Sequence, residues 1–263
     1  MNEDYKKWIK DNLDELRNHS YRVSVPNKST CKPFNGMSTK RKYFSMFQVL
    51  EKYHNIADKN DVWLEFGVYK GNSVNQVLSP HAKPLNIPIY GFDTFTGIPI
   101  ESGVWKKNQF DNDGNMPKVE KNINLIKGDI FETLPIFLKD EKIKNKNFKF
   151  IHIDTDIYES AKFILETLFK ANKLNNSIIV FDELLHYNDF EHHEFKALYE
   201  MTQQYDDFKF EWVGIRNKVM DLETYLSGKT KIQKWGPKKF REEEFEQEVV
   251  IKTKVKEIFN EEN

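Results

Sequence analysis

Four carboxylates of this 263-residue chain fall into two tight pairs. Asp154 ends the apolar run FKFIHID (148–154), with Asp156 two residues on; Asp182 and Glu183 end the run SIIVFDE (177–183). Runs this short and this apolar read as buried strands. If the two strands are neighbours, up to four carboxylates converge at one sheet edge. Their repulsion must then be relieved by a cation or by shared protons. Oxygen donors with no cysteine beside them suit Mg²⁺, with Mn²⁺ or Ca²⁺ as alternatives. In the simpler alternative Asp154 and Asp182 face a site while Asp156 and Glu183 only cap helices.

Three turns upstream carry further candidates. In Glu65-Phe66-Gly67-Val68-Tyr69-Lys70-Gly71-Asn72-Ser73 a strand gives way to a helix. Gly67 permits a tight turn and close approach of a ligand. Gly71 and Ser73 open the helix, whose free N–H groups could receive an anion or carboxylate. The spacing is not that of the GxGxxG fingerprint, so a ligand-free turn stays open as the alternative. In Gly91-Phe92-Asp93-Thr94-Phe95-Thr96-Gly97-Ile98-Pro99, Asp93 could accept hydrogen bonds from the vicinal hydroxyls of a ribose, or cap a helix. Paired with the first turn, the ribose role is the better reading. Asp129 in Lys127-Gly128-Asp129-Ile130 could meet an adenine amino group or cap the helix after it. Of the histidines that follow Asp182 and Glu183, His186 could reach the site, and a solvated or structural role is its alternative. The polar stretch 100–122, with Trp105 and Phe110, is either a lid or an ordinary variable loop.

The elements that must position these residues follow from the pattern. Apolar runs at 62–68, 89–93, 123–129, 148–154 and 177–183 alternate with helices at Ser73–Leu78, Ile130–Leu138 and Tyr158–Lys170. Strands alternating with helices indicate βαβ units and a buried parallel sheet. A helix near Glu191–Gln204 and strands at Phe208–Ile215 and Glu248–Val255 complete it. The expected fold is α/β: a Rossmann-like, mostly parallel seven-stranded sheet with helices on both faces and one antiparallel edge strand. Ligands bind such sheets beyond the carboxyl ends of the strands, where the acidic residues lie. Ahead of it, residues 3–18 and about Thr39–Tyr53 read as helices joined by a polar connector. The expected division is therefore a helical extension over 1–57 and one domain over 58–263. Glu242–Glu244 reads as a solvated helix start.

Composition narrows the class. Lys and Arg number 40 against 41 Asp and Glu, which argues against a broad nucleic-acid binder. At 39% hydrophobic the chain is too apolar for disorder. No window approaches a membrane span, and MNEDYKKWIK lacks the apolar core of a signal peptide. One cysteine, Cys31, excludes an internal disulfide and a multi-cysteine zinc site, and suits a reducing cytoplasm.

Together, EFGVYKGNS, GFDTFTGIP, the GD…TLP segment and HIDTDIYES followed by FDE resemble the macrocin O-methyltransferase family of class I S-adenosylmethionine-dependent methyltransferases, over roughly residues 39–255. Glu194 in HHEFKAL fits the same likeness. The resemblance implies Mg²⁺-dependent methylation of a hydroxyl, mostly on sugars of natural products. It implies that S-adenosylmethionine lies on Glu65, Gly67, Gly71 and Ser73, with Asp93 at the ribose and Asp129 at the adenine end. It implies Asp154 and Asp182 as metal ligands, Glu183 as a third where the family often has Asp, and Asp156 as general base. The implied partner is a small sugar or sugar nucleotide, for a surface polysaccharide or a glycosylated natural product. Family habit and the aromatic N-terminal helices imply a homodimer. Three rivals remain: a glycosyltransferase using Asp154-Thr155-Asp156 as a DxD motif, which leaves EFGVYKG and GFDTF unexplained; a catechol-type O-methyltransferase; and a non-catalytic scaffold.

Overall fold

Seven strands form one sheet in the order β3-β2-β1-β4-β5-β7-β6. They are β1 (Asp61–Phe66), β2 (Ile89–Asp93), β3 (Ile123–Lys127), β4 (Asn147–Ile153), β5 (Ile178–Phe181), β6 (Phe210–Ile215) and β7 (Val249–Thr253). The computed structural model describes residues 1–18, 50, 58–185, 189–215, 222–226 and 249–254. Most of the helix expected at Thr39–Tyr53, the acidic run Glu242–Glu244 and His186 lie outside them.

β1 pairs in parallel with both β2 and β4, and β4 with β5. The antiparallel strand expected at the edge is β7. It lies one place in, between β5 and β6, and is antiparallel to both, so β6 forms the edge. The helices are α1 (Glu3–Asn18), α2 (Ser79–Ala82), α3 (Ile130–Leu138), α4 (Glu141–Lys144), α5 (Tyr158–Lys170), α6 (Glu194–Gln204) and α7 (Leu222–Leu226). The helix expected at Ser73–Leu78 is a wide π-type turn over Val74–Leu78 that runs into α2.

Alternation along the strands builds two apolar layers. Val62, Leu64 and Phe66 enter one, while Trp63 joins Phe150, Ile178 and Val180 in the other. In α5 the buried Ala161, Ile164, Leu165 and Leu168 recur at helical spacing and seal the first layer. Its Tyr158 hydroxyl donates to Glu200 Oε2 of α6 at 2.6 Å.

α1 belongs to the same layer. Tyr5, Ile9, Leu13 and Leu16 form one buried stripe. The Tyr5 ring stacks on Tyr199 at 4.4 Å, its hydroxyl donates to the Glu191 carbonyl at 2.7 Å, and Trp8 meets Phe195 edge-on at 5.2 Å. The stripe expected to meet a partner copy is thus covered by the chain's own α6.

Candidate functional site

Strand register brings the acids together. β4 and β5 are neighbours, with His152 opposite Val180 and Ile153 opposite Phe181. Asp154 and Asp182 are the next residues on each strand, and the Asp182 N–H donates to the Ile153 carbonyl at 3.0 Å. One donor atom from each of His152, Asp154 and Asp182 lies within 4.8 Å of the others. Asp156 follows in a left-handed backbone conformation (φ 64°) and is almost wholly buried. Such a φ is uncommon away from glycine, and Asp is among the residues that tolerate it.

The electrostatics match the crowding. Burial pushes the Glu183 carboxyl well above its usual range, and the charges of Asp156 and Asp182 push it further. Burial does the same to Glu194, reinforced by Asp156, Asp154 and Asp182. Burial alone would depress His152, but the carboxylates of Asp182 and Glu65 outweigh it and hold the imidazole well above its ordinary value. Neither Glu194 oxygen, nor Glu183 Oε2, has a hydrogen-bond partner among the described residues. Buried acceptors of this kind call for a proton, a water or a cation. The hard oxygen donors of Asp154, Asp182 and Glu183 fit a divalent cation such as Mg²⁺ or Mn²⁺.

The glycine turn lies beside this cluster. Gly67 has φ +88°, and a β-carbon there would stand 1.8 Å from the Asp154 carbonyl oxygen, so β1 and β4 approach as closely as backbone allows. The Gly71 N–H donates to the Val68 carbonyl at 2.8 Å and closes the turn. Asp93, at the end of β2, holds that turn: its Oδ2 accepts from the Val68 and Tyr69 N–H groups, both at 2.7 Å, and its Oδ1 from Phe95 N–H at 2.6 Å. Asp129 caps α3, accepting from Phe131 N–H at 3.0 Å. A carboxylate has about four acceptor positions, so Asp93 and Asp129 both keep capacity for a ligand.

One cavity of about 410 Å³ joins the two halves. Gly67, Ser73, Asp93 and Asp129 line one end, and Asp154, Asp156 and Glu183 the other. Glu65, Gly71 and Asp182 are not in its wall. Glu65 is fully buried beneath it, accepting from the Ser73 hydroxyl, and Asp182 is buried next to His152. The loop 100–122 is anchored at the mouth: Trp105 and Ile98 pack on Ile157, and Phe110 meets Tyr69 edge-on at 5.6 Å. The sequence assigns no role to His152, and it marks Glu194 only by its likeness to the family, without placing its buried carboxylate beside the acidic cluster. Only the two-residue step from His152 to Asp154, which puts both on one strand face, could have pointed to the first.

Residues 64–184 match the family model described as a methyltransferase domain. The match runs from β1 to just past β5 and spans every site residue from Glu65 to Glu183. No match is found among curated protein sequences. Among solved structures the chain is similar to CalS11, a TDP-rhamnose 3′-O-methyltransferase of calicheamicin biosynthesis, at 22% identity over 80% of this chain and 91% of that one, with a TM-score of 0.47. It is similar to the O-methyltransferase NovP at 14% identity over 79% and 94%, with a TM-score of 0.48. It is also similar to the S-adenosylhomocysteine-bound methyltransferase PaMTH1 of Podospora anserina, at 12% identity over 97% of both chains, with a TM-score of 0.45.

Proposed function

We propose that the protein is an S-adenosylmethionine- and Mg²⁺-dependent O-methyltransferase of the macrocin type, acting in the cytoplasm on the hydroxyl of a small sugar or sugar nucleotide. Residues 58–263 form the enzyme domain and 1–57 its helical extension. The observation that carries this is one continuous cavity running from Gly67 and Asp93 to Asp154, Asp156 and Glu183. A methyl donor at the glycine end would present its sulfonium to an acceptor held at the acidic end. The sugar follows from the likeness of GFDTFTGIP and HIDTDIYES to the macrocin family, and CalS11, by its description, methylates a TDP-rhamnose.

The roles then divide. The Gly67–Ser73 turn takes the methionine end, Asp93 the ribose hydroxyls and Asp129 the adenine end. Asp154, Asp182 and Glu183 would hold Mg²⁺, which supplies Lewis acidity that makes the acceptor hydroxyl easier to deprotonate. Asp156 would accept the proton of the acceptor hydroxyl, and S-adenosylmethionine held by the Gly67–Ser73 turn, Asp93 and Asp129 would supply the methyl group and depart as S-adenosylhomocysteine.

The test is a methyl-transfer screen over sugar nucleotides and free sugars, with Mg²⁺ present and after chelation. The expected result is transfer to at least one sugar hydroxyl that stops on chelation and returns with Mg²⁺. Activity that survives complete chelation would remove the metal from the proposal, and S-adenosylmethionine failing to bind would remove the reading itself.

A further inference from the structure

His152 is a buried titratable side chain to which this division of roles gives no task. It is fully enclosed in a sheet whose neighbouring positions on the same face carry Trp63, Phe150, Ile178 and Val180. An imidazole there is costly unless both nitrogens find partners. Register sets a carboxylate facing each nitrogen, at ion-pair distance. Glu65 of β1 is directly opposite His152, and Asp182 lies two residues beyond Val180, which faces His152 from β5. Nδ1 is 3.4 Å from Glu65 Oε2, and Nε2 is 3.7 Å from Asp182 Oδ1. The other oxygen of Glu65 accepts the Ser73 hydroxyl, and Ser73 lines the cavity. A continuous row Ser73–Glu65–His152–Asp182 therefore runs beneath the cavity floor, from the turn at one end to the acidic cluster at the other.

We propose that His152 is a positioning residue that fixes the spacing between the two halves of the site: its Nδ1 side braces the Glu65–Ser73 strut under the cofactor turn, and its Nε2 side aims the Asp182 carboxylate at the cation. The inference rests on the cofactor-and-cation reading of the cavity. Groups that hold a metal-binding carboxylate in place set metal affinity from outside the ligand sphere. Here the same imidazole also touches the acid that holds the cofactor turn, so one side chain acts on both ligands through different nitrogens.

That asymmetry gives the test. Asparagine places an amide nitrogen near the Nδ1 position, and glutamine places one near Nε2. His152→Asn, His152→Gln and His152→Phe are titrated with Mn²⁺ by electron paramagnetic resonance and, separately, with S-adenosylhomocysteine by calorimetry, after thermal melting has established folding. His152→Asn should keep S-adenosylhomocysteine affinity within about twofold and lose Mn²⁺ affinity by about 10–100-fold, the usual cost of an outer partner. His152→Gln should show the opposite preference, and His152→Phe should lose both. If the phenylalanine variant does not fold, the Asn/Gln split decides. Unchanged affinities for both ligands in folded Asn and Gln variants overturn the assignment. So does a loss of Mn²⁺ in all three with cofactor affinity intact, which would make the imidazole a metal ligand. Wild-type protein that binds S-adenosylhomocysteine but no Mn²⁺ is a separate result: it overturns the cation reading, and the role of His152 with it.

Discussion

Asp156 and Gly67 set the tightest residue-scale demands on the site. Asp156→Asn keeps the shape and removes the basicity, so turnover should fall about 10²–10⁴-fold, the range for a positioned general base, while Mn²⁺ still binds. Excess Mg²⁺ should not restore it, whereas it should partly restore Glu183→Gln, a weakened ligand. Initial rates across a Mg²⁺ titration separate the two; restoration of Asp156→Asn would make Asp156 a ligand. Gly67→Ala asks for both a left-handed alanine and a β-carbon 1.8 Å from the Asp154 carbonyl oxygen. The strands must part, and the expected outcome is a destabilised protein with little S-adenosylhomocysteine binding, read by melting and calorimetry. The residues that carry these demands were visible in the sequence because Gly and clustered Asp have few other uses at strand ends. The partners of His152 and Glu194 were not. Which residue of β1 lies opposite His152 depends on register, and register is not written in either strand alone.

At the scale of elements, periodicity read correctly wherever a segment has one apolar face. Residues 3–18, 130–138 and 158–170 were expected as helices, and α1, α3 and α5 occupy those ranges. β2 likewise covers the expected 89–93. The reading failed where local chemistry competes with the pattern. The helix after Gly71 widens into a π-type turn before Pro80, and α6 starts at Glu194 rather than near Glu191 because Phe190–His192 forms a separate 3₁₀ turn. Asp93 shows why the alternatives could not be separated from sequence: it is a backbone cap and also a cavity-wall residue. Asp93→Ala removes three hydrogen bonds to loop N–H groups. S-adenosylhomocysteine affinity should drop by about 1.5–3 kcal/mol, the scale of a charge-assisted hydrogen bond. Unchanged affinity in a folded variant would take Asp93 out of the cofactor site.

For the whole molecule the question is what α1 is for. The sequence shows an amphipathic helix ahead of the sheet, and such a helix can cover its stripe with a second copy or with its own chain. The structure favours the second. Ile9 and Leu13 are completely buried, and Trp212 Nε1 of β6 donates to Asn12 Oδ1 at 3.2 Å. The homodimer that the family resemblance implies must therefore use a surface other than this stripe, and the two consequences can be measured together. Leu13→Ala leaves a cavity in the shared core and should cost about 2–5 kcal/mol of stability, seen as a lower denaturant midpoint. Deleting residues 1–18 uncovers Phe195, Tyr199 and Trp212 and should produce an unstable or aggregating chain, not a well-folded monomer. Light scattering of the intact protein should report twice the 31.4 kDa chain mass, and Leu13→Ala should leave that mass unchanged while lowering the midpoint. If Leu13→Ala instead yields a 31.4 kDa species of undiminished stability, α1 is a dimer element and its packing against α6 is not what holds the chain together.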